Sequence, residues 1–316
     1  LGSEFGIKEN PAPLRYDDFA GGTIGDSVQG WAHSTHQGRP PVYSDDMIRT
    51  DDNAVKCLFD NGQYLSSFGY RGDESLTKVY IDAWYLYSPA DIPSRNHKIF
   101  RLYSGMTSGY PNLYFSHTCR ADGGGTVSQD GVGHGNYVDY NGYGWEDADL
   151  TWIHIQGYFE ESVIDADTGL AQLQINHQMI TDEQSWRTKT SSNPESWHSV
   201  WFGNYLGHGS TDNCPSSPGA SYTYWDDVYL DTTQARVEIG NAAVYTQCSH
   251  REIQIPSEWS ADSVTISGHM GTFENGEAAY IFLIDEDGGV SEGFGPVVVG
   301  SEAVATFPGA PGQPLY

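Results

Sequence analysis

Basic side chains are scarce: 15 Lys and Arg stand against 42 Asp and Glu in 316 residues, a formal net charge of −27. A protein that reads nucleic-acid phosphates presents a broad basic face, and self-repulsion at this charge excludes that class. Long hydrophobic runs are also missing. The apolar stretch around Ala278–Ile284 is far short of the roughly 20 residues a membrane-spanning helix needs. Cysteine is limited to Cys57, Cys119, Cys214 and Cys248, with no Cys-x-x-Cys spacing and no histidine at zinc-finger distance. No asparagine opens an N-glycosylation sequon. No nucleophile elbow, P-loop or dinucleotide-binding glycine motif follows a strand, which removes three large enzyme classes.

What is abundant is aromatic and glycine: 21 Tyr, 9 Trp and 37 Gly. Segments of 6 to 11 residues rich in β-branched or aromatic side chains run from about residue 76 onward: Thr77–Tyr87, Lys98–Tyr103, Asn112–His117, Leu150–Phe159, Ala171–Ile180, Ser199–Leu206 and Tyr222–Leu230. Gly, Pro, Asn and Ser clusters separate them, and no window carries a sustained helical period, so the class is all-β. Asp165-Ala166-Asp167-Thr168-Gly169 reads as a hairpin turn between two of these strands. Further short strands from Arg236 predict a second unit, a small Ig-like β-sandwich. The expected organisation is a leader over 1–13, the main domain over 14–235, the small sandwich over 236–307 and a Gly/Pro tail over 308–316.

Alternation assigns faces in two strands. Ile153 and Ile155 oppose Trp152, His154, Gln156 and Tyr158, and Leu173 and Ile175 oppose Gln172 and Gln174. One face is core. The other mixes aromatic rings with amides and imidazole, which suits sugars: pyranose C–H faces stack on rings while hydroxyls need polar partners. The candidate glycan-binding residues are Trp152, Gln156, Gln174, Trp201, Tyr205 and His117. For β-elimination of a uronic acid, His154 and Tyr158 are the candidate proton-transfer groups, with Arg101 to neutralise the carboxylate.

The stretch Tyr222–Gly240 (YTYWDDVYLDTTQARVEIG) and the entry Tyr16-Asp17-Asp18-Phe19 resemble the concanavalin A-like jelly-roll superfamily, which includes laminin-G-like modules, carbohydrate-binding modules and polysaccharide lyases. The resemblance spans residues 14–235 and implies a jelly-roll β-sandwich. The Arg-Thr-Glu, Gln-Ile-His and Tyr-Phe-Lys-x-Gly blocks of alginate-type lyases are absent. Glu146-Asp147-Ala148-Asp149 departs from the laminarinase-type pattern, so no catalytic residue carries over. First and last strands are often neighbours in such jelly rolls, and Asp17, Asp18, Asp226 and Asp227 are accordingly expected around one structural Ca²⁺.

The expected protein is exported to an extracellular or cell-surface location, kept soluble by its charge, with two disulfides among its four cysteines. Three pairings are open, and buried free thiols are the alternative. The chain begins at Leu1, so a signal segment is expected to have been removed or never cloned, and whether Gly2–Phe5 is a cloning remnant or the protein's own sequence is left open. The functional expectation is binding of an extracellular polysaccharide, with β-elimination as the reaction if it is cleaved. The shortage of bases argues against a strongly polyanionic substrate. The alternative is a matrix, adhesin or filament subunit that assembles with copies of itself through its termini. Arg71-Gly72-Asp73 is expected in a glycine loop.

Overall fold

The structure is a computed structural model that describes residues 8–35, 38–50, 53–59, 65–88, 97–104, 112–117, 125–130, 136–140, 151–206, 221–260 and 263–300. In chain order the strands are β1 (Arg15–Asp17), β2 (Ala32–Thr35), β3 (Val42–Ser44), β4 (Ala54–Phe59), β5 (Ser66–Leu76), β6 (Lys78–Ser88), β7 (His97–Ser104), β8 (Asn112–His117), β9 (Gly125–Asp130) and β10 (Asn136–Tyr140). They continue with β11 (Ile153–Glu160), β12 (Gly169–Ile175), β13 (Gln178–Trp186), β14 (Trp197–Leu206), β15 (Ser221–Asp231), β16 (Arg236–Gly240), β17 (Arg251–Trp259), β18 (Val264–Ser267), β19 (Ala278–Ile284) and β20 (Phe294–Val298). The all-β expectation holds. The expected neighbouring of first and last strands holds, with β1 pairing β15, whereas β2 to β5 have no counterpart in the sequence reading and the single strand expected over Ala171–Ile180 is a hairpin. Arg71-Gly72-Asp73 lies inside β5 instead of a loop.

The chain divides into two units. One is Asp17–Val228; the other joins the segment up to Tyr16 with Tyr229 onward. The division therefore falls inside β15, ahead of the Arg236 expected, and the leader belongs with the C-terminal unit. Lys8 shows why: its ammonium lies 2.5 Å from Asp231 Oδ2 and 3.3 Å from the Tyr229 hydroxyl. Burial pushes the Asp231 carboxyl above the usual carboxylate range, and Lys8 opposes that. Lys8 thus ties the described start of the chain to the end of β15.

The larger unit is a jelly-roll β-sandwich. Its first sheet runs β13-β12-β11-β6-β15-β4-β3 and its second runs β10-β9-β8-β7-β14-β5-β2, with antiparallel pairing in both. The chain crosses between sheets at β1 to β2, β2 to β3, β4 to β5, β5 to β6, β6 to β7, β10 to β11, β13 to β14 and β14 to β15, so several neighbours, such as β6 with β15 and β7 with β14, are remote in sequence. Inward side chains of the first sheet include Val79, Ile81, Ala83, Ile153, Ile155, Phe159, Leu173 and Ile175, all buried. The second sheet answers with Phe68, Phe100, Leu102, Leu113, Phe115, Val200 and Phe202. Aromatic pairs close the gap: Phe100 to Phe159 at 5.7 Å and Phe202 to Trp225 at 5.3 Å between ring centres.

The smaller unit is one five-stranded sheet, β18-β17-β16-β19-β20, which replaces the expected Ig-like pair of sheets. The first half of β17 pairs with β16 and its second half with β18, across an irregularity at Pro256/Glu258. That break lets a single sheet gather Val237, Ile239, Trp259, Val264, Ile266, Phe273, Ile281 and Leu283 into one apolar cluster.

The two-disulfide expectation fails for two of the four cysteines. Cys57 is a buried free thiol of β4 among the Ser66 and Thr223 hydroxyls, pushed up to about 12 by burial. Gly203, at φ +66°, keeps room for it: a Cβ there would lie 2.7 Å from Cys57 Sγ. Cys248 is also free, with its sulfur 3.4 Å from the Ala242 carbonyl oxygen. Cys119 and Cys214 lie outside the described residues, as do Gly2–Phe5 and the tail over 308–316.

The inter-sheet contact sets a stability expectation. Phe100→Ala removes a fully buried ring from the sandwich centre and is expected to cost about 3–5 kcal/mol in urea unfolding with the slope unchanged.

Candidate functional site

Strands β14, β7 and β8 are neighbours in the second sheet, and none of them contains an Asp or Glu. In a chain with 42 acids this is a local reversal of charge. Period-two alternation then sorts their side chains. Phe100, Leu102, Leu113, Phe115, Val200 and Phe202 face the core, so Arg101, Tyr103, Tyr114, Ser116, Ser199 and Trp201 face away from it.

The register sets them in rows. Gly69, Trp201, Arg101, Tyr114 and Ser128 are successive partners across β5, β14, β7, β8 and β9. The next row holds Arg71, Ser199, Tyr103 and Asn112. Paired residues on one face stand about 4.5–5.5 Å apart, so each row is continuous. The Arg101 guanidinium lies 4.7 Å from the Tyr103 ring centre and 5.9 Å from that of Tyr114. Lys98, whose Cα partner is Ser116, brings its ammonium 4.1 Å from the Tyr114 ring centre. The Trp201 indole N–H donates to Ser199 Oγ at 3.0 Å. A Cβ on Gly69 would come within 2.9 Å of the Trp201 ring, so the indole lies over the bare glycine.

Exposure divides the face in depth. Arg101, Tyr103 and Tyr114 are half-exposed and Arg71 is exposed, whereas Lys98, Ser116, Ser199 and Trp201 are buried. Outward polar groups on a sheet are ordinarily solvated; here the buried ones lie beside an accessible set of two guanidiniums, Arg71 and Arg101, and two phenols. Such a set can hold a carboxylate by charge-assisted hydrogen bonds and can move protons through the phenols.

Of the expected site residues, only Arg101 and Trp201 lie together here. Tyr205 and His117 are at the far ends of β14 and β8, where register places Tyr205 opposite Lys98 and His117 opposite His97. His154, Tyr158, Gln156 and Gln174 are on the other sheet, facing outward as their alternation predicts, and Trp152 precedes β11 half-buried. They form no open groove with Arg101. His154 is 2% exposed and its Nε2 lies 2.7 Å from Asp82 Oδ1; the other Asp82 oxygen accepts from Gln156 Nε2 at 2.8 Å and from the Tyr80 hydroxyl at 3.1 Å. The Tyr158 hydroxyl donates to Glu160 at 2.5 Å. This corrects the catalytic grouping of His154 and Tyr158 with Arg101: the sandwich core separates them. Lys98, Tyr103 and Tyr114 were missed. Their alternation with Phe100, Leu102, Leu113 and Phe115 is legible in the sequence, but the adjacency of β14, β7 and β8 is not.

No protein-family model and no curated protein matches the chain. Among solved structures, it is similar to a mutant of the alginate lyase Aly36B in complex with alginate tetrasaccharide, at 17% identity over 70% of this chain and 97% of that one, TM-score 0.49. An endo-β-1,4-glucuronan lyase from the fungus Trichoderma reesei is similar at 13% identity over 70% and 96%, TM-score 0.47. The cellulose induced protein Cip1 is similar at 14% identity over 69% and 97%, TM-score 0.44.

The carboxylates expected around Ca²⁺ have other partners. Asp17 accepts from the Phe19 amide at 3.0 Å and from the Trp31 indole at 2.8 Å, and Asp18 accepts from the Ala20 amide at 3.2 Å. Arg49 reaches Asp227 Oδ2 at 2.5 Å, and the Asp227 amide donates to Asp226 Oδ1 at 2.9 Å. No three of these four carboxylates bring ligand oxygens within 4.8 Å of one another. Asp226 is fully buried; burial, then the neighbouring Asp227 charge, pushes its carboxyl up to about 8, with Arg49 opposing.

Unfolded Asp226 loses its proton near its ordinary value, 3.8, while the folded chain holds it up to about 8. Between those values the folded state binds more protons, so this group's contribution to stability falls as pH rises and is constant above the folded value. Asp226→Asn is therefore expected to gain melting temperature relative to the parent progressively from pH 4 to pH 8, read by thermal scans at each pH. A difference that does not change with pH contradicts the assignment.

Proposed function

We propose that the outward face of the second sheet binds an acidic polysaccharide and supports its cleavage by β-elimination. The observation that carries this reading is the acid-free trio of strands bearing Lys98, Arg101, Tyr103 and Tyr114 on one face. Arg101, backed by Lys98, pairs with a uronate carboxylate and stabilises the negative charge that develops when the adjacent C5 proton is removed. Tyr103 and Tyr114 flank the guanidinium and are placed to take that proton and return one to the leaving glycosidic oxygen. The electrons of the broken C5–H bond form the C4–C5 double bond as the C4–O bond breaks, and no external oxidant or water is consumed.

The global charge does not oppose such a substrate. Repulsion from acidic groups more than about 8–10 Å away is largely screened at physiological salt, so a local basic strip governs a polyanion once it is in contact. A polymeric glycan is met outside the cell, and the proposed location is extracellular.

The test is a panel of uronate-containing, sulfated and neutral polysaccharides, read by affinity electrophoresis for binding and by ultraviolet absorbance of the unsaturated product for cleavage. Retardation by uronates that weakens with salt is expected, and Arg101→Ala is expected to weaken it about 10–100-fold, as for loss of a charged hydrogen bond worth about 1.5–3 kcal/mol. Tyr114→Phe is expected to retain binding and lose turnover. Neither retardation nor product on any uronate overturns the proposal.

A further inference from the structure

The first sheet holds a second chemical constellation on its own outward face. Asn176 and His177, at φ +46° and +68°, are the two central residues of the β12–β13 hairpin, the left-handed pair that a tight two-residue turn requires. Asn adopts that region readily and histidine less so, so the position bears a cost for carrying an imidazole. The turn is locked to β11: the Asn176 amide donates to the His154 carbonyl at 2.9 Å, and Asn176 Oδ1 accepts from the His154 amide at 2.8 Å. The lock holds the His177 ring 5.1 Å from the His154 ring, inclined by 80°.

His154 is fixed from every other side. It stacks on Trp84 at 4.5 Å and 5°, and its Nε2 is committed to Asp82, itself held by Gln156 and Tyr80. Its Nδ1 is buried with no hydrogen-bond partner. A buried ring nitrogen left this way is disfavoured unless something else meets it.

We propose that His154 and His177 hold a divalent transition-metal ion of the zinc class, with His154 Nδ1 as one ligand and Asp82 orienting that imidazole through Nε2–H. Carboxylate-to-histidine-to-metal is the usual outer-shell arrangement, fixing the tautomer that leaves the second nitrogen's lone pair for the ion. With metal–nitrogen bonds of about 2.0–2.1 Å, two imidazoles on one tetrahedral ion have ring centres about 5 Å apart, the separation these rings already show. Imidazole ligation selects Zn²⁺, Cu²⁺ or Ni²⁺ over Ca²⁺ and Mg²⁺, and water completes the shell. The ion clasps the β12–β13 hairpin to β11, on the sheet opposite the glycan face and independently of it.

The test compares the parent protein with His177→Asn, which keeps a residue suited to left-handed φ while removing the imidazole. Zn²⁺ titration by calorimetry is expected to show a site whose affinity drops at least about 10-fold in the variant. Cu²⁺ is expected to quench indole emission in the parent, through Trp84 stacked on His154, and to quench it far less in both His177→Asn and Trp84→Phe. Equal Zn²⁺ affinity and equal quenching in parent and His177→Asn overturn the proposal, as does the absence of Zn²⁺ binding to the parent.

Discussion

Phe100 of β7 packs on Phe159 of β11, and this face-to-face burial of apolar rings between two sheets is the constraint on which the rest of the larger unit depends. Each such side chain contributes about 1.5–3 kcal/mol on leaving water. Because side chains alternate with period two, seating Phe100 and Leu102 in the core leaves Arg101 and Tyr103 on the far side. A one-residue slip would reverse both sets. The core therefore stabilises the sandwich and also aims the functional face.

Charge is distributed against the average. A chain at −27 repels itself, yet three adjacent strands of its second sheet carry no acid at all and present lysine, arginine and phenols. Three of the buried acids have close basic or imidazole partners: Asp231 with Lys8, Asp227 with Arg49 and Asp82 with His154. Desolvating a carboxylate is costly, and breaking such a pair by removing its cation costs more than the pair contributes. Some of the few bases thus neutralise buried acids, as Lys8 and Arg49 do, and others form the basic strip.

The two outward faces of the sandwich differ in kind. On the second sheet the accessible groups are flexible or rotatable donors beside buried polar ones, which suits a ligand that arrives and leaves. On the first sheet, His154 is buried, stacked on half-buried Trp84 and hydrogen-bonded to buried Asp82, with left-handed backbone in the adjoining turn. Rigid, enclosed polar clusters of that sort hold one geometry; they do not admit a polymer.

The amino-acid sequence by itself determined the all-β class, most strands beyond residue 76, and which side of β11 and β12 meets the core, because alternation is a local property of the chain. It also placed Trp201 and Arg101 among the candidate site residues. Only the tertiary structure decided which strands are neighbours, since β14 lies between β7 and β5 through pairings such as Trp201 with Arg101 and Phe202 with Phe68, remote in sequence. That adjacency separated His154 from Arg101, joined Tyr103 and Tyr114 to the site, left Cys57 and Cys248 as free thiols, and turned a general shortage of bases into a local concentration of them. Pairing energy between remote strands is a property of the packed sandwich as a whole, and no window of sequence contains it.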